Sequence, residues 1–199
     1  MTTVDREAPV HLYRLPAPGE DRYVSLALAN TRFPLGGREV ELLDGTDAAR
    51  LWLVRRGLLP DRVELDADRL RRLRELRGAL QDLFAAYTGP GAPPRDSLGT
   101  LNSALAAAPS TPRLAWGPQG PHRVADPDTS DPAAALFSLL AEDAVDLLTG
   151  EPEQLTRCAA GKCERWFLRS HGARRWCSTT CGNRVRAARA YAARKERGA

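Results

Sequence analysis

Residues 157–184 read RCAAGKCERWFLRSHGARRWCSTTCGNR, and this stretch decides how the C-terminal part of the chain has to fold. It holds all four cysteines, Cys158, Cys163, Cys177 and Cys181, in the pattern C-x4-C-x13-C-x3-C. Zinc takes four soft or borderline ligands in a tetrahedron, and two close pairs around a short excursion supply that geometry at little loop-closure cost. The spacing therefore predicts one structural Zn2+. Gly161 and Lys162 let the first loop turn backbone amides toward sulfur. Ser178 is placed to cap a helix whose opening turn carries Cys181, so the positive end of that helix faces the thiolates. Disulfides or a redox switch are the competing readings, disfavoured by the cytosolic setting argued below. His171 could stand in for one thiolate, but four cysteines already close the shell, and a closed shell offers no open position for catalysis.

Working outward, the same segment is strongly basic. Residues 157–199 carry twelve of the 29 Lys and Arg against two acids, Glu164 and Glu196, a net charge of +10; the other 156 residues carry 17 cations and 23 acids, net −6. The modest overall +4 thus hides a basic segment attached to a mildly acidic body, the charge pattern of nucleic-acid binding. A segment this small, with few large apolar groups, needs the metal for much of its folding free energy. Trp166, Phe167 and Trp176 are expected to form its miniature core, with base stacking by exposed rings as the alternative.

Upstream, residues 1–22 are rich in Pro, Gly and charge and read as a flexible arm. YVSLALANT at 23–31 is apolar and short, and is either a buried strand or a helix. FPLGG and REVELLDG suggest a small hairpin. A helix is expected from Thr46 to a stop at Gly57. The strongest runs over 66–87, with Leu70, Leu73, Leu76, Leu80, Leu83, Phe84 and Tyr87 at three- and four-residue steps. Another helix is expected over 96–108, then a hairpin around GPQGP. Asp131 and Pro132 then start a helix with Leu136, Leu139, Leu140, Ala144, Leu147 and Leu148 as its core stripe up to Gly150. The expected class is mainly α with short β hairpins, a helical N-terminal domain over 23–150 and a small treble-clef-like zinc finger over 154–199. No run of 18 apolar residues and no N-terminal apolar core of a signal peptide is present, which points to a cytoplasmic protein without a membrane anchor.

The motif CGNR at 181–184, preceded by RRWCS at 174–178 and followed by an Arg-rich helix, resembles the CGNR zinc finger, with a shorter loop, LRSHGA at 168–173, than many members have. LANT at 28–31, the Trp52–Leu53 pair, LRELR at 73–77, Leu101–Asn102 and AVDLL at 144–148 resemble the ABATE domain. The resemblance spans about residues 23–197 and implies a bacterial, stress-induced transcription regulator. It further implies that Cys181 is the last zinc ligand and that the N-terminal domain binds a small ligand; Asn30, Thr31, Arg77 and Asn102 fall in the ABATE-like motifs.

On a helix over 179–197, Val185, Ala188 and Ala192 share one side, expected to pack on the finger or body. Arg186, Arg189 and Arg197 share another, suited to phosphate contacts because guanidinium forks bind phosphate bidentately. Arg184 and Arg194 flank that stripe, and Arg174 and Arg175 add charge before the helix. Asn183 is expected to support the metal ligands. Duplex DNA is the leading partner, and a homodimer through the body would supply specificity that one finger lacks. The alternative function is a protein-interaction or RNA-binding module whose zinc is purely structural. With no cysteine outside the finger, no HExxH motif and no Gly-rich phosphate loop, the chain is expected not to be an enzyme.

Overall fold

Helix α1 spans Val24–Ala29 and is followed by a hairpin of β1 (Arg32–Leu35) and β2 (Arg38–Glu41). Then come α2 (Thr46–Arg55), α3 (Ala67–Thr88), α4 (Arg95–Ala107), the hairpin β3 (Ser110–Gly117) and β4 (Gly120–Pro127), and α5 (Pro132–Gly150). The chain closes with β5 (Leu155–Arg157), β6 (Trp166–Leu168) and α6 (Thr179–Arg197). The computed structural model describes residues 16–35, 38–60, 63–127, 129–150, 154–161 and 163–197. Each hairpin is a separate two-stranded antiparallel sheet. The class is mainly α with short hairpins, as the apolar periodicities require. Among the described residues, no helix is long and apolar enough to cross a membrane.

The chain divides into two compact units that do not follow its linear order. One is Leu42–Gly150; the other joins Met1–Glu41 to Glu151–Ala199. In the first, α3, α4 and α5 pack together, with Leu73, Leu80, Leu140 and Leu147 fully buried. Asp66 caps α3 by accepting from the Arg69 N–H at 2.8 Å, and Asp131 caps α5 by accepting from the Ala133 N–H at 2.9 Å. Both helices therefore start where the sequence places them. The stripes are narrower than expected: Tyr87 at the end of α3 is 40% exposed and Leu139 of α5 is 44% exposed, because each sits at the rim of its helix's buried arc.

In the second unit, the segment 23–31 resolves as a helix, Val24–Ala29, rather than a strand. Leu26, Ala27, Leu28 and Ala29 are all buried, so the segment is enclosed on nearly every side, which periodicity cannot distinguish from a central strand. The expected arm over 1–22 differs from what is seen in its last part; residues 1–15 lie outside the described residues. Ala17 and Glu20 are buried, Tyr23 N–H donates to the Gly19 carbonyl at 2.8 Å, and Leu168 N–H of β6 donates to the Pro18 carbonyl at 2.8 Å. Gly19 has φ +95°, and a Cβ there would stand 2.6 Å from the Leu168 Cγ. Only glycine provides both that backbone conformation and that close approach. Residues 17–31 thus form a strap belonging to the same unit as the cysteines, held in part by a strand-like bond between Pro18 and Leu168 that its own composition does not announce.

Candidate functional site

Cys158 follows β5, Cys163 lies in the excursion before β6, and Cys177 and Cys181 flank the start of α6. Their sulfurs all lie within 4.8 Å of one another, with Cys163–Cys177 and Cys177–Cys181 separations of 3.7 Å. A tetrahedron with Zn–S bonds of about 2.3 Å has S···S edges of about 3.8 Å, so this donor set fits one structural zinc ion. The ligand loops are locally braced: Cys163 N–H donates to the Ala160 carbonyl at 2.7 Å, Cys158 N–H to the Arg165 carbonyl at 2.9 Å and Ala159 N–H to the Arg175 carbonyl at 2.9 Å. Cys177 N–H points at the Cys158 Sγ at 3.5 Å, and Cys181 N–H is capped by the Ser178 Oγ at 3.2 Å. Ser178 therefore takes the capping role read from its position, and the helix start faces the sulfurs.

Four such close sulfurs cannot all ionise unaided. The hydrogen bond with Cys163 brings the Cys158 thiol down to about 6. Bonding led by Cys158 lowers Cys181 and pushes Cys163 and Cys177 up. A dication removes this conflict, because thiolates are its ligands. Around the sulfurs lie Ala17, Ala160 and Phe167, with Trp176 and Val185 packed against them. Phe167 is buried and Trp176 half-buried in this miniature core, while Trp166 is buried but lies outside the cluster around the sulfurs.

Behind the metal ligands lies a buried polar latch. Asn30 of the LANT motif donates through Nδ2 to the Trp166 carbonyl at 2.8 Å and to Glu20 Oε1 at 2.6 Å, while its Oδ1 accepts from the Trp166 N–H at 2.8 Å. Its amide thus pairs with one residue of β6 as a neighbouring strand would. Glu20 Oε1 also accepts from Arg165 Nη2 at 2.6 Å; both side chains are 5% exposed. Burial opposes the Arg165 charge, and Glu20 outweighs it, leaving the guanidinium pKa above its usual value. Thr31 is buried, with its hydroxyl donating to the Leu28 carbonyl at 2.8 Å. The Glu20–Arg165 pair has no signature in the sequence, since its members are 145 positions apart.

The first turns of α6 are anchored and the rest is exposed. Arg184 Nη2 lies 3.6 Å from the Cys181 Sγ. Gly182 is buried beneath Trp176, whose ring a Cβ would approach to 3.2 Å. Arg186 lies over the Trp176 ring at 5.8 Å and donates to Asn183 Oδ1. Asn183 is exposed and holds Arg186. From Arg186 to Arg197 every residue except Ala193 is exposed, including Arg189, Arg194 and Arg197. Val185 packs as expected, but Ala188 and Ala192 face solvent because the helix projects past the finger's small core. Arg174 bonds the carbonyls of Trp176 and Cys177 at 3.2 and 3.3 Å and lies over Phe167, bracing the second knuckle. Arg175 is exposed.

The polar residues expected to hold a small ligand are divided between the two units. Asn30 and Thr31 belong to one unit and Arg77 and Asn102 to the other; Arg77 is buried on α3 and Asn102 is exposed on α4. A cavity of about 440 Å³ opens among α3, α4 and α5, lined by Arg72, Glu75, Arg95, Thr100, Ser103 and Phe137 among others.

Two known families match the chain. ABATE, described as "Putative stress-induced transcription regulator", matches residues 23–151, and the CGNR zinc finger matches residues 154–195. Among curated proteins, none matches.

Proposed function

This chain belongs to the ABATE family and carries a CGNR zinc finger, and from that premise we propose that it is a cytoplasmic transcription regulator that binds duplex DNA through α6. The observation carrying this reading is a basic helix whose first turn holds a metal ligand while its distal turns, with Arg189, Arg194, Lys195 and Arg197, stand exposed with Glu196 as their only acid. Zinc fixes the direction in which the helix leaves the finger, and a helix so fixed can enter a major groove. Arg189 and Arg197 carry the phosphate contacts, with Arg184, Arg186, Arg194 and Arg175 alongside. Arg186 is pre-positioned by Asn183 and Trp176, so it loses less side-chain freedom on binding. The zinc is structural and the reading assigns the protein no catalytic step. Ligand sensing, in this reading, belongs to the cavity among α3, α4 and α5.

The test is fluorescence anisotropy of the zinc-loaded chain on duplex DNA across a salt series, for wild type and Arg189→Ala/Arg197→Ala. Loss of two phosphate contacts should lower the log–log salt slope by about two. An unchanged slope would remove α6 from the interface, and stronger competition by single-stranded RNA than by duplex would favour the RNA-binding module instead.

A further inference from the structure

The β3–β4 hairpin has surface chemistry that the finger does not use. It is rooted on α5, where the Ser110 hydroxyl donates to Glu142 and Ser138 Oγ donates to the Ala108 carbonyl at 2.8 Å. Beyond that root, Leu114 is 75% exposed and Trp116 77% exposed. Strand alternation places both on one face. The register sets Arg123 opposite Leu114 and Pro121 opposite Trp116, so the face presents an apolar wedge with a guanidinium at its flank. A tryptophan so exposed beside an exposed leucine marks a binding surface more than a lone apolar residue does.

Charge decides among occupants. The hairpin Ser110–Pro127 carries Arg113 and Arg123 against one acid, Asp126, which pairs opposite Thr111 near the root and falls in the alternate register from Leu114 and Trp116. A second copy docked face to face by two-fold symmetry would bring two Arg123 side chains to one apolar patch without a carboxylate opposite either Leu114 or Trp116. Edge-to-edge pairing is hindered because Pro112 and Pro121 remove donors from β3 and β4. An anionic partner removes the repulsion, and an apolar wedge flanked by arginine suits the minor groove, where such side chains part a base step.

We infer that the β3–β4 hairpin is a second nucleic-acid contact, a wing whose Trp116 and Leu114 enter the minor groove of duplex DNA while Arg123 meets a flanking phosphate. This rests on the DNA-binding reading of α6, and the experiment separates the two. Hydroxyl-radical footprinting and anisotropy are run on the zinc-loaded full chain with a duplex, for wild type, Trp116→Ala, Leu114→Ala and Arg123→Ala. Unchanged thermal midpoints confirm that these exposed substitutions leave the fold intact. Trp116→Ala should lose one minor-groove patch of protection and bind about tenfold more weakly. Arg123→Ala should reduce the salt slope by about one. Footprint and affinity equal to wild type in all three variants overturn the wing alone. So does loss of a dimer in sedimentation with the DNA contacts intact, which assigns the hairpin to a second copy. A wild type that binds no duplex overturns the DNA-binding reading of α6 as well.

Discussion

Replacing Glu20 by alanine should loosen a zinc site to which Glu20 contributes no ligand. Its carboxylate is the partner of Arg165, with Nη2 and Oε1 2.6 Å apart and both side chains 5% exposed. Removing one member of a buried pair leaves the other charged and desolvated, at a cost of about 3–5 kcal/mol. Arg165 lies two residues past Cys163, and its carbonyl accepts from the Cys158 N–H. The destabilised strap and ligand loops therefore fold together. Because thiolate sites form only with the fold around them, a folding loss of about 3 kcal/mol becomes a roughly 100-fold drop in apparent zinc affinity. Titration of the zinc-loaded protein with a chromogenic chelator reads that affinity directly. Glu20→Ala/Arg165→Met should recover much of the loss, since an apolar pair leaves no uncompensated charge. Zinc affinity within threefold of wild type in Glu20→Ala, with an unchanged denaturation midpoint, would refute the coupling of strap and finger.

Gly19→Ala should lower stability by about 2 kcal/mol, read from chemical denaturation, because its φ of +95° and the Leu168 side chain 2.6 Å from the new Cβ both oppose any side chain. Cys181→Ser should abolish stoichiometric zinc in elemental analysis and reduce helicity in circular dichroism as α6 loses its anchored first turn. In wild type, zinc should be retained at neutral pH and released as pH falls, since protons compete for the same thiolates.

The metal centre was legible in the sequence because each of its determinants is local: four cysteines within 24 positions, a capping serine three residues before Cys181, and a run of cations with few acids. The helices over Ala67–Thr88 and Pro132–Gly150 were legible for the same reason, their periods and the caps Asp66 and Asp131 being written in adjacent residues. Asn30 lies in the LANT motif, but its partners are not legible there. Its amide pairs with the backbone of Trp166, 136 positions away, and a backbone amide and carbonyl leave no trace in residue identity. Local pattern thus determined which segments become helix, hairpin and thiolate cluster. Tertiary structure alone decided that residues 17–41 share a unit with the finger, that Glu20 neutralises Arg165, and that the distal face of α6 stays bare. Those outcomes depend on which buried donors and charges meet across long stretches of chain, and the cost of leaving them unpaired, not any periodicity, selects the arrangement.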